Sequence, residues 1–346
     1  MTEKVTVRTE QTSLVATIIN TLLALYALFL TAYLVLRFVP IVDNNALNFL
    51  HTFALYLFFV PLVGAVIALF TRNRQLVLVQ FLLVMIGVLW LGGRQVRPML
   101  VDTLVADDVL SVLTFNVFPD NEQLDTALQT ILEYNADIVL LQEARGDITP
   151  MLDAYEYSYL QVMDSGYEHG IFSRFPLKDS GLVDLAGMKN QRAEVLLPDD
   201  TSIALYNLHL YMPLNQNEDQ FLLLRYDETR RNQQIQELLD LVASETIPVI
   251  VGGDFNMSEY SLIYNDLNAV MRDAYRETNY TFGFTFPAGA FEELGDYLPP
   301  ILRLDYLWTS DDLTPIRAAL GTPLGSDHLP LIAEIALPKQ LEVAAK

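Results

Sequence analysis

Residues 247–256 read Ile-Pro-Val-Ile-Val-Gly-Gly-Asp-Phe-Asn: a short apolar run that stops at two polar residues, Asp254 and Asn256. A run of this length, rich in β-branched residues and bounded by glycine, reads as a buried strand. Its polar end is not explained by the apolar run. The same signature recurs at Leu113-Thr114-Phe115-Asn116, at Val139-Leu140-Leu141-Gln142-Glu143, and in reverse where Asp327-His328 precede the apolar run from Leu329. A strand-end Asn or Asp is commonly a turn or cap residue. Four such ends carrying Asn, Glu, Asp/Asn and Asp/His would converge if the sheets share one open end. Oxygen donors of this mix suit a hard cation such as Mg²⁺.

Around these ends, residues from about 107 alternate short apolar runs with polar segments, a pattern α/β in character. Strands are expected at 109–117, 137–142, 157–162, 170–173, 193–197, 203–210, 247–251, 302–308 and 329–337, with helices at 122–134 and 219–244. In the longer helix, Leu222, Leu223, Tyr226, Ile235, Leu238, Leu239 and Val242 form the expected inner face.

Upstream, 11–36, 44–71 and 75–93 contain no Asp, Glu, Lys or Arg. Each is about the length a helix needs to cross a bilayer, so three spans are expected at about 11–36, 46–70 and 75–93. The third is marginal, with a core of Leu76–Leu91. A cleavable signal peptide accounts poorly for the first, because Glu3 and Glu10 offset Lys4 and Arg8 and the run is too long. Arg72 and Arg74 favour a cytoplasmic loop between the second and third spans, which puts the following domain outside; Arg94 and Arg97 argue the other way. The expected organisation is a membrane segment at 1–93, a linker at 94–106 and a catalytic domain at 107–340. Gly64, Gly87 and Gly92-Gly93 are candidate positions of close helix contact.

The chain has 346 residues, 21 basic and 43 acidic side chains, a net charge of −22 and no cysteine. Disulfides, thiolate metal sites and a cysteine nucleophile are therefore excluded. Residues 94–346 hold 16 basic and 40 acidic side chains, with only Lys178, Lys189, Lys339 and Lys346 as lysines. That balance disfavours a polyanionic nucleic acid as partner, which needs a basic stripe.

The order of Thr114-Phe115-Asn116-Val117, Leu141-Gln142-Glu143, Ser173-Arg174-Phe175-Pro176, Asn207-Leu208-His209-Leu210, Gly253-Asp254-Phe255-Asn256, Leu304-Asp305-Tyr306 and Ser326-Asp327-His328 resembles the endonuclease/exonuclease/phosphatase superfamily. Its members include deoxyribonucleases, repair endonucleases, inositol-polyphosphate phosphatases and neutral sphingomyelinases. The resemblance implies a four-layer α/β sandwich with two central mixed β-sheets, here preceded by three transmembrane helices. It implies Glu143 as the principal ligand of Mg²⁺ or Mn²⁺, with Asn116 and Asp327 assisting. It implies His328 as the catalytic histidine charged by Asp305, Asp254 and Asn256 as the residues that activate and orient water, and His209 as a second phosphate contact. Asn207, Arg174 and Tyr211 are candidate substrate-positioning residues, Arg174 being first a structural one. Of the four histidines, His51 falls in the second span and His169 before a strand, and neither is expected to be catalytic.

The expected activity is metal-dependent phosphoester hydrolysis by an integral, multi-pass membrane protein with an extracytoplasmic catalytic domain. Tethering beside a bilayer favours a phospholipid or sphingolipid headgroup as substrate. The alternatives are an extracytoplasmic nuclease, a phosphatase of a soluble small molecule, and a non-catalytic module that binds phospholipid. Two segments could form a rim: Tyr211-Met212-Pro213-Leu214, and 280–300 with Phe282, Phe284, Phe286, Phe291 and Tyr297.

Overall fold

The computed structural model describes residues 3–38, 44–92, 109–214, 225–289 and 299–337. The chain divides into one unit of Met1–Val96 with Gln220–Tyr226 and a second of Arg97–Asp219 with Asp227–Lys346. The expected linker at 94–106, and Phe291 and Tyr297, lie outside the described residues.

The first unit contains α1 (Glu3–Arg37), α2 (Asn45–Thr52), α3 (Ala54–Leu57), α4 (Phe59–Phe70) and α5 (Arg74–Gly92). Two helices, Leu14–Arg37 and Arg74–Gly92, are long and apolar enough to cross a membrane. The expected middle span is not one straight helix: Asn45–Thr52 and Ala54–Phe70 meet at 79°. The three expected spans therefore reduce to two, with a third only if the bent pair counts as one. The bend falls at Phe53, and a second interruption at Phe58 separates α3 from α4. Pro61 has no N–H for the carbonyl of Leu57, and the Tyr26 hydroxyl donates to that carbonyl instead, at 2.7 Å. Polar side chains in α2 are turned inward, with His51 Nδ1 lying 3.1 Å from the Tyr33 hydroxyl. Gly87 is a close-contact position within this chain, since a Cβ there would lie 2.4 Å from Phe58 Cδ1.

The second unit is built on β1 (Val109–Asn116), β2 (Ile138–Ala144), β3 (Tyr157–Val162), β4 (Glu168–Ser173), β5 (Leu177–Leu185), β6 (Met188–Leu196), β7 (Ser202–His209), β8 (Val249–Asp254), β9 (Arg272–Asp273), β10 (Asp305–Thr309), β11 (Thr314–Leu320) and β12 (Leu331–Ala336). Its helices are α6 (Leu124–Glu133), α7 (Thr149–Ala154), α8 (Thr229–Ser244), α9 (Tyr264–Val270) and α10 (Ala274–Thr278). The strands form two six-stranded mixed sheets, ordered β11-β12-β1-β2-β4-β3 and β5-β6-β7-β8-β10-β9.

Period-two alternation sends successive side chains to opposite faces. From the first sheet, Val112, Ile138 and Leu140 pack inward against Val195, Ile203, Leu205 and Ile250 of the second. Leu113, Phe115, Val139 and Leu141 face outward, onto Leu128 and Ile131 of α6. On the far side, Val249 and Val251 meet Ile235 and Leu238 of α8. The result is an α/β sandwich with two central mixed sheets and helices outside.

Two pairings are parallel, β1 with β2 and β7 with β8. A parallel pair brings both carboxyl ends to the same edge, so His209 stands directly opposite Asp254. The antiparallel partner β10 opens with Asp305 opposite that same Asp254.

The long helix expected at 219–244 begins at Thr229; residues 219–224, with Leu222 and Leu223, lie outside the described residues. Asp227 Oδ1 accepts the N–H of Thr229 at 2.9 Å, a local turn that starts the helix there. Tyr226 lies in the first unit, its hydroxyl 2.6 Å from Thr52 Oγ1. Strands β5, β9 and β11 were not expected. All three are sheet edges; β5 exposes most of its length, β9 has only two residues, and β11 buries only Pro315 and Ala318, so none carries a buried apolar run.

Gly253 has φ +140°, and a Cβ there would lie 1.9 Å from the carbonyl oxygen of Leu208. Replacing Gly253 with Ala should destabilise the fold by about 2–4 kcal/mol, measured as a fall in thermal midpoint of the full-length protein in detergent. An unchanged midpoint would mean that β7 and β8 can separate without cost.

Candidate active site

Asn116, Glu143, His209, Asp254, Asp305 and His328 all lie at or beside strand ends. His328 Nδ1 is 2.7 Å from Asp305 Oδ2, and His328 Nε2 is 3.7 Å from Asp254 Oδ2. His209 Nε2 is 3.5 Å from Glu143 Oε1 and 3.8 Å from Asp254 Oδ2. Asn116 Nδ2 donates to Asp254 Oδ2 at 3.2 Å. The backbone N–H of Asn256 donates to Asp254 Oδ1 at 2.8 Å, and its side-chain amide donates to Leu210 O at 3.0 Å. The structure thus brings Asn116, Glu143, His209, Asp254, Asn256, Asp305 and His328 together, and Asp327 interacts electrostatically with Asp254, Glu143 and His328.

Local backbone geometry aims these groups. Leu141 pairs with Gly170 and Ala144 with Glu168, so β2 carries an extra residue opposite His169. Glu143 sits in that bulge with φ +57°, and Asn256 has φ +47°. Bulges and left-handed residues of this kind re-aim side chains at a sheet edge.

Burial and mutual repulsion set the charges. Glu143 is pushed up to about 7, chiefly by burial and then by the charge of Asp254. Asp327 is pushed up to about 6, again first by burial, with His328 opposing and Asp254 and Glu143 adding to the rise. Burial raises Asp254 as well, and Asp305 adds to the rise. For His328 burial works against the cation, yet Asp305 and Asp254 outweigh it and raise the ring to about 10. Burial lowers His209 despite Asp254. At neutral pH one histidine is therefore a cation and the other neutral.

One ligand atom from each of Asp254, Asp305 and His328 lies within 4.8 Å of the others, a buried cluster of the kind that holds a divalent metal. In the present arrangement His328 Nδ1 is joined to Asp305 Oδ2. Glu143 and Asp327 offer carboxylates whose neutral forms are favoured while no cation is near. A divalent ion reverses that preference, so these oxygen donors fit the metal expected from the sequence.

Three supporting residues had not been singled out. Thr285 Oγ1 accepts the N–H groups of Leu304 and Asp305, at 3.1 and 3.3 Å. Ser326 Oγ donates to Asn116 O at 2.7 Å and accepts the N–H of His328 at 3.0 Å. Asn190 Oδ1 accepts the N–H of His209 at 2.9 Å. Ser326 stands inside a quoted motif, whereas Asn190 lies within a strand and carries no local signal. Arg276 donates to the carbonyls of Thr281 and Phe282, which braces the segment that ends in Thr285.

The three candidate substrate-positioning residues are placed differently. Asn207 is fully buried, its amide bonded to Leu141 O, Gly170 O and Gln191 Oε1. Arg174 lies at the opposite end of β4 from Glu168, where it pairs with Asp137 at 3.2 Å. Tyr211 is 38 % exposed, with the guanidinium of Arg230 4.8 Å from its ring centroid. Of the expected aromatic rim, Phe282 stacks on Phe284 at 5.2 Å, and Phe286 packs 5.1 Å from the His328 ring.

The model of the Endonuclease/Exonuclease/phosphatase family matches residues 113–328. None of the curated proteins matches the chain in sequence. Among solved structures, an endonuclease/exonuclease/phosphatase from Bacteroides vulgatus is 18 % identical, with TM-score 0.53 over 66 % of this chain and 99 % of its own. Truncated TDP2 of Caenorhabditis elegans is 18 % identical, with TM-score 0.52 over 66 % and 98 %. The mannosyl-6-phosphatase Bt3783 of Bacteroides thetaiotaomicron is 17 % identical, with TM-score 0.50 over 65 % and 99 %. At these identities the likeness is one of fold.

Because Glu143 and Asp327 hold their protons to higher pH when folded, they contribute stability to the metal-free protein that is lost as pH rises from about 4 to about 7, while the lowered His209 and His169 act in the opposite sense below 6.5. The raised His328 contributes stability that is complete below 6.5 and lost as pH climbs towards 10. Thermal melts of EDTA-treated full-length protein should show a midpoint that falls more over pH 4–7 in the wild type than in Glu143→Gln, and Mg²⁺ should raise the wild-type midpoint more at pH 7 than at pH 5. A Glu143→Gln profile parallel to the wild type's in EDTA would contradict the Glu143 assignment.

Proposed function

The chain belongs to the endonuclease/exonuclease/phosphatase family, and from that premise we propose that it is a membrane-anchored, divalent-metal-dependent phosphoester hydrolase. The observation that carries this reading is the convergence of a charged His328–Asp305 pair, His209, Asp254 and Glu143 at one edge of the sandwich. A phosphoester resists attack because its oxygens are anionic, and this arrangement offers both donors and carboxylates to such a group.

In the proposed roles Glu143, Asn116 and Asp327 hold Mg²⁺ or Mn²⁺. The ion, when bound, neutralises charge on the phosphoryl and leaving oxygens. His328, kept as a cation by Asp305, donates from Nε2 to a phosphoryl oxygen. His209 donates from Nε2 as the second contact. Asp254 accepts a proton from the attacking water, and Asn256, fixed against Asp254 and Leu210 O, orients that water. Asn207 acts behind the site rather than on substrate.

For the substrate we favour a short phosphorylated solute, in which a sugar or nucleotide carries the phosphate. Structures of similar fold include a TDP2 and a mannosyl-6-phosphatase, and the net charge of −22 opposes a long polyanion. A second reading, a lipid headgroup, is supported by the helices Leu14–Arg37 and Arg74–Gly92, which would hold the domain beside a bilayer.

The test is phosphate or headgroup release by the full-length protein with Mg²⁺ or EDTA, from sugar phosphates, oligonucleotides and vesicles containing sphingomyelin and phospholipids. EDTA should abolish turnover, and Glu143→Ala or His328→Ala should lower kcat/KM by about 10³-fold or more with folding retained. Turnover of vesicles alone would replace the soluble substrate with the lipid, and full activity in either variant would remove the site assignment.

A further inference from the structure

His169 is a buried titratable group that the proposed reaction leaves without a task. It faces the bulge of β2, opposite Gln142 and Glu143. The residue is 1 % exposed, and neither ring nitrogen has a hydrogen-bond partner. Burial, aided by neighbouring His209, holds its pKa well below the ordinary histidine range. The ring is therefore neutral, with one N–H donor and one lone pair. An apolar side chain would fill a core position without orphaning two polar atoms, so packing alone does not account for a histidine here.

The nearest candidate for its hydrogen bond is a residue of the site itself. The rings of His169 and His209 are 5.7 Å apart between centroids and inclined at 47°. That separation has room for a hydrogen bond of about 2.9 Å between ring edges, which a small rotation of either ring would close. His209 Nδ1 is likewise buried without a partner. Its Nε2 faces Glu143 Oε1 and Asp254 Oδ2 at 3.5 and 3.8 Å. Asp254 Oδ2, which already accepts from Asn116 Nδ2, presents an acceptor to that nitrogen, so a donor there is favoured and a lone pair would be repelled. Once Nε2 carries the proton, Nδ1 must accept, and His169 has the donor to offer. The backbone of His209 is already fixed by Asn190, which leaves the protonation of the ring as the undetermined element.

We propose that His169 is a positioning residue, whose ring N–H donates to His209 Nδ1 and holds His209 in the tautomer with its proton on Nε2. The catalytic consequence rests on the reading of His209 as a phosphate contact. The tautomer itself does not, and can be read without turnover.

The chain has four histidines, so ¹⁵N-histidine labelling of the full-length protein in lipid vesicles gives few enough signals to assign by single substitutions. Solid-state ¹⁵N spectra should show His209 protonated on Nε2, with Nδ1 a hydrogen-bonded acceptor. In His169→Phe the acceptor shift at Nδ1 should disappear, and kcat should fall about tenfold with KM within twofold. His169→Gln, which keeps an N–H donor, should recover most of kcat where Phe does not. A wild-type spectrum with the proton on Nδ1 would overturn the proposal even if His169→Phe fails to fold. So would an unchanged His209 signal and unchanged kcat in a folded His169→Phe.

Discussion

Asn207 joins the two sheets at the edge where the site lies. From β7 of one sheet its amide reaches Leu141 O and Gly170 O of the other, at 2.9 and 3.2 Å, while its oxygen accepts from Gln142 Nε2 at 2.7 Å. Gln191 extends the seam by donating to the carbonyls of Tyr159 and His169. These side chains are fully buried, so an apolar replacement would orphan backbone carbonyls at about 1–3 kcal/mol each. Glu143 follows Gln142 directly, and His209 lies two residues beyond Asn207. The separation between a carboxylate on one sheet and a histidine on the other is therefore set by a fully buried amide.

On that frame the electrostatics are deliberately unbalanced. Glu143 is raised by burial and then by Asp254, Asp327 by burial and then by Asp254 and Glu143, and Asp254 by burial and by Asp305; one buried histidine cation does not neutralise them. An excess of carboxylates of this kind suits a divalent cation, as the proposed function requires. The acidity of the chain as a whole acts at longer range. It does not build the site, and under the proposed function it would disfavour extended polyanions as substrates.

Much of this was legible in the sequence because apolar runs that end in Asn, Glu, Asp or His mark strand ends, and parallel strands carry their ends to a common edge. Strand β3 has its expected limits, 157–162, and β1 and β12 differ from expectation by a few residues. The edge strands β5, β9 and β11 were not legible, since an edge need not be apolar. Thr285 and Asn190 act through hydrogen bonds to residues distant in sequence, and nothing in their own neighbourhoods signals it. The uncharged middle stretch gave no warning of its 79° bend. Composition reports how apolar a segment is, and not where its helix turns.

The central claim is that a divalent ion binds at Glu143 beside an intact Asp305–His328 pair. Anomalous diffraction from crystals of the full-length protein soaked with Mn²⁺ tests it most directly. The account predicts one strong peak in coordination distance of Glu143, about 2.0–2.3 Å, with His328 Nδ1 still bonded to Asp305. A peak seated among Asp254, Asp305 and His328 with that bond broken, or no peak at all, would contradict it.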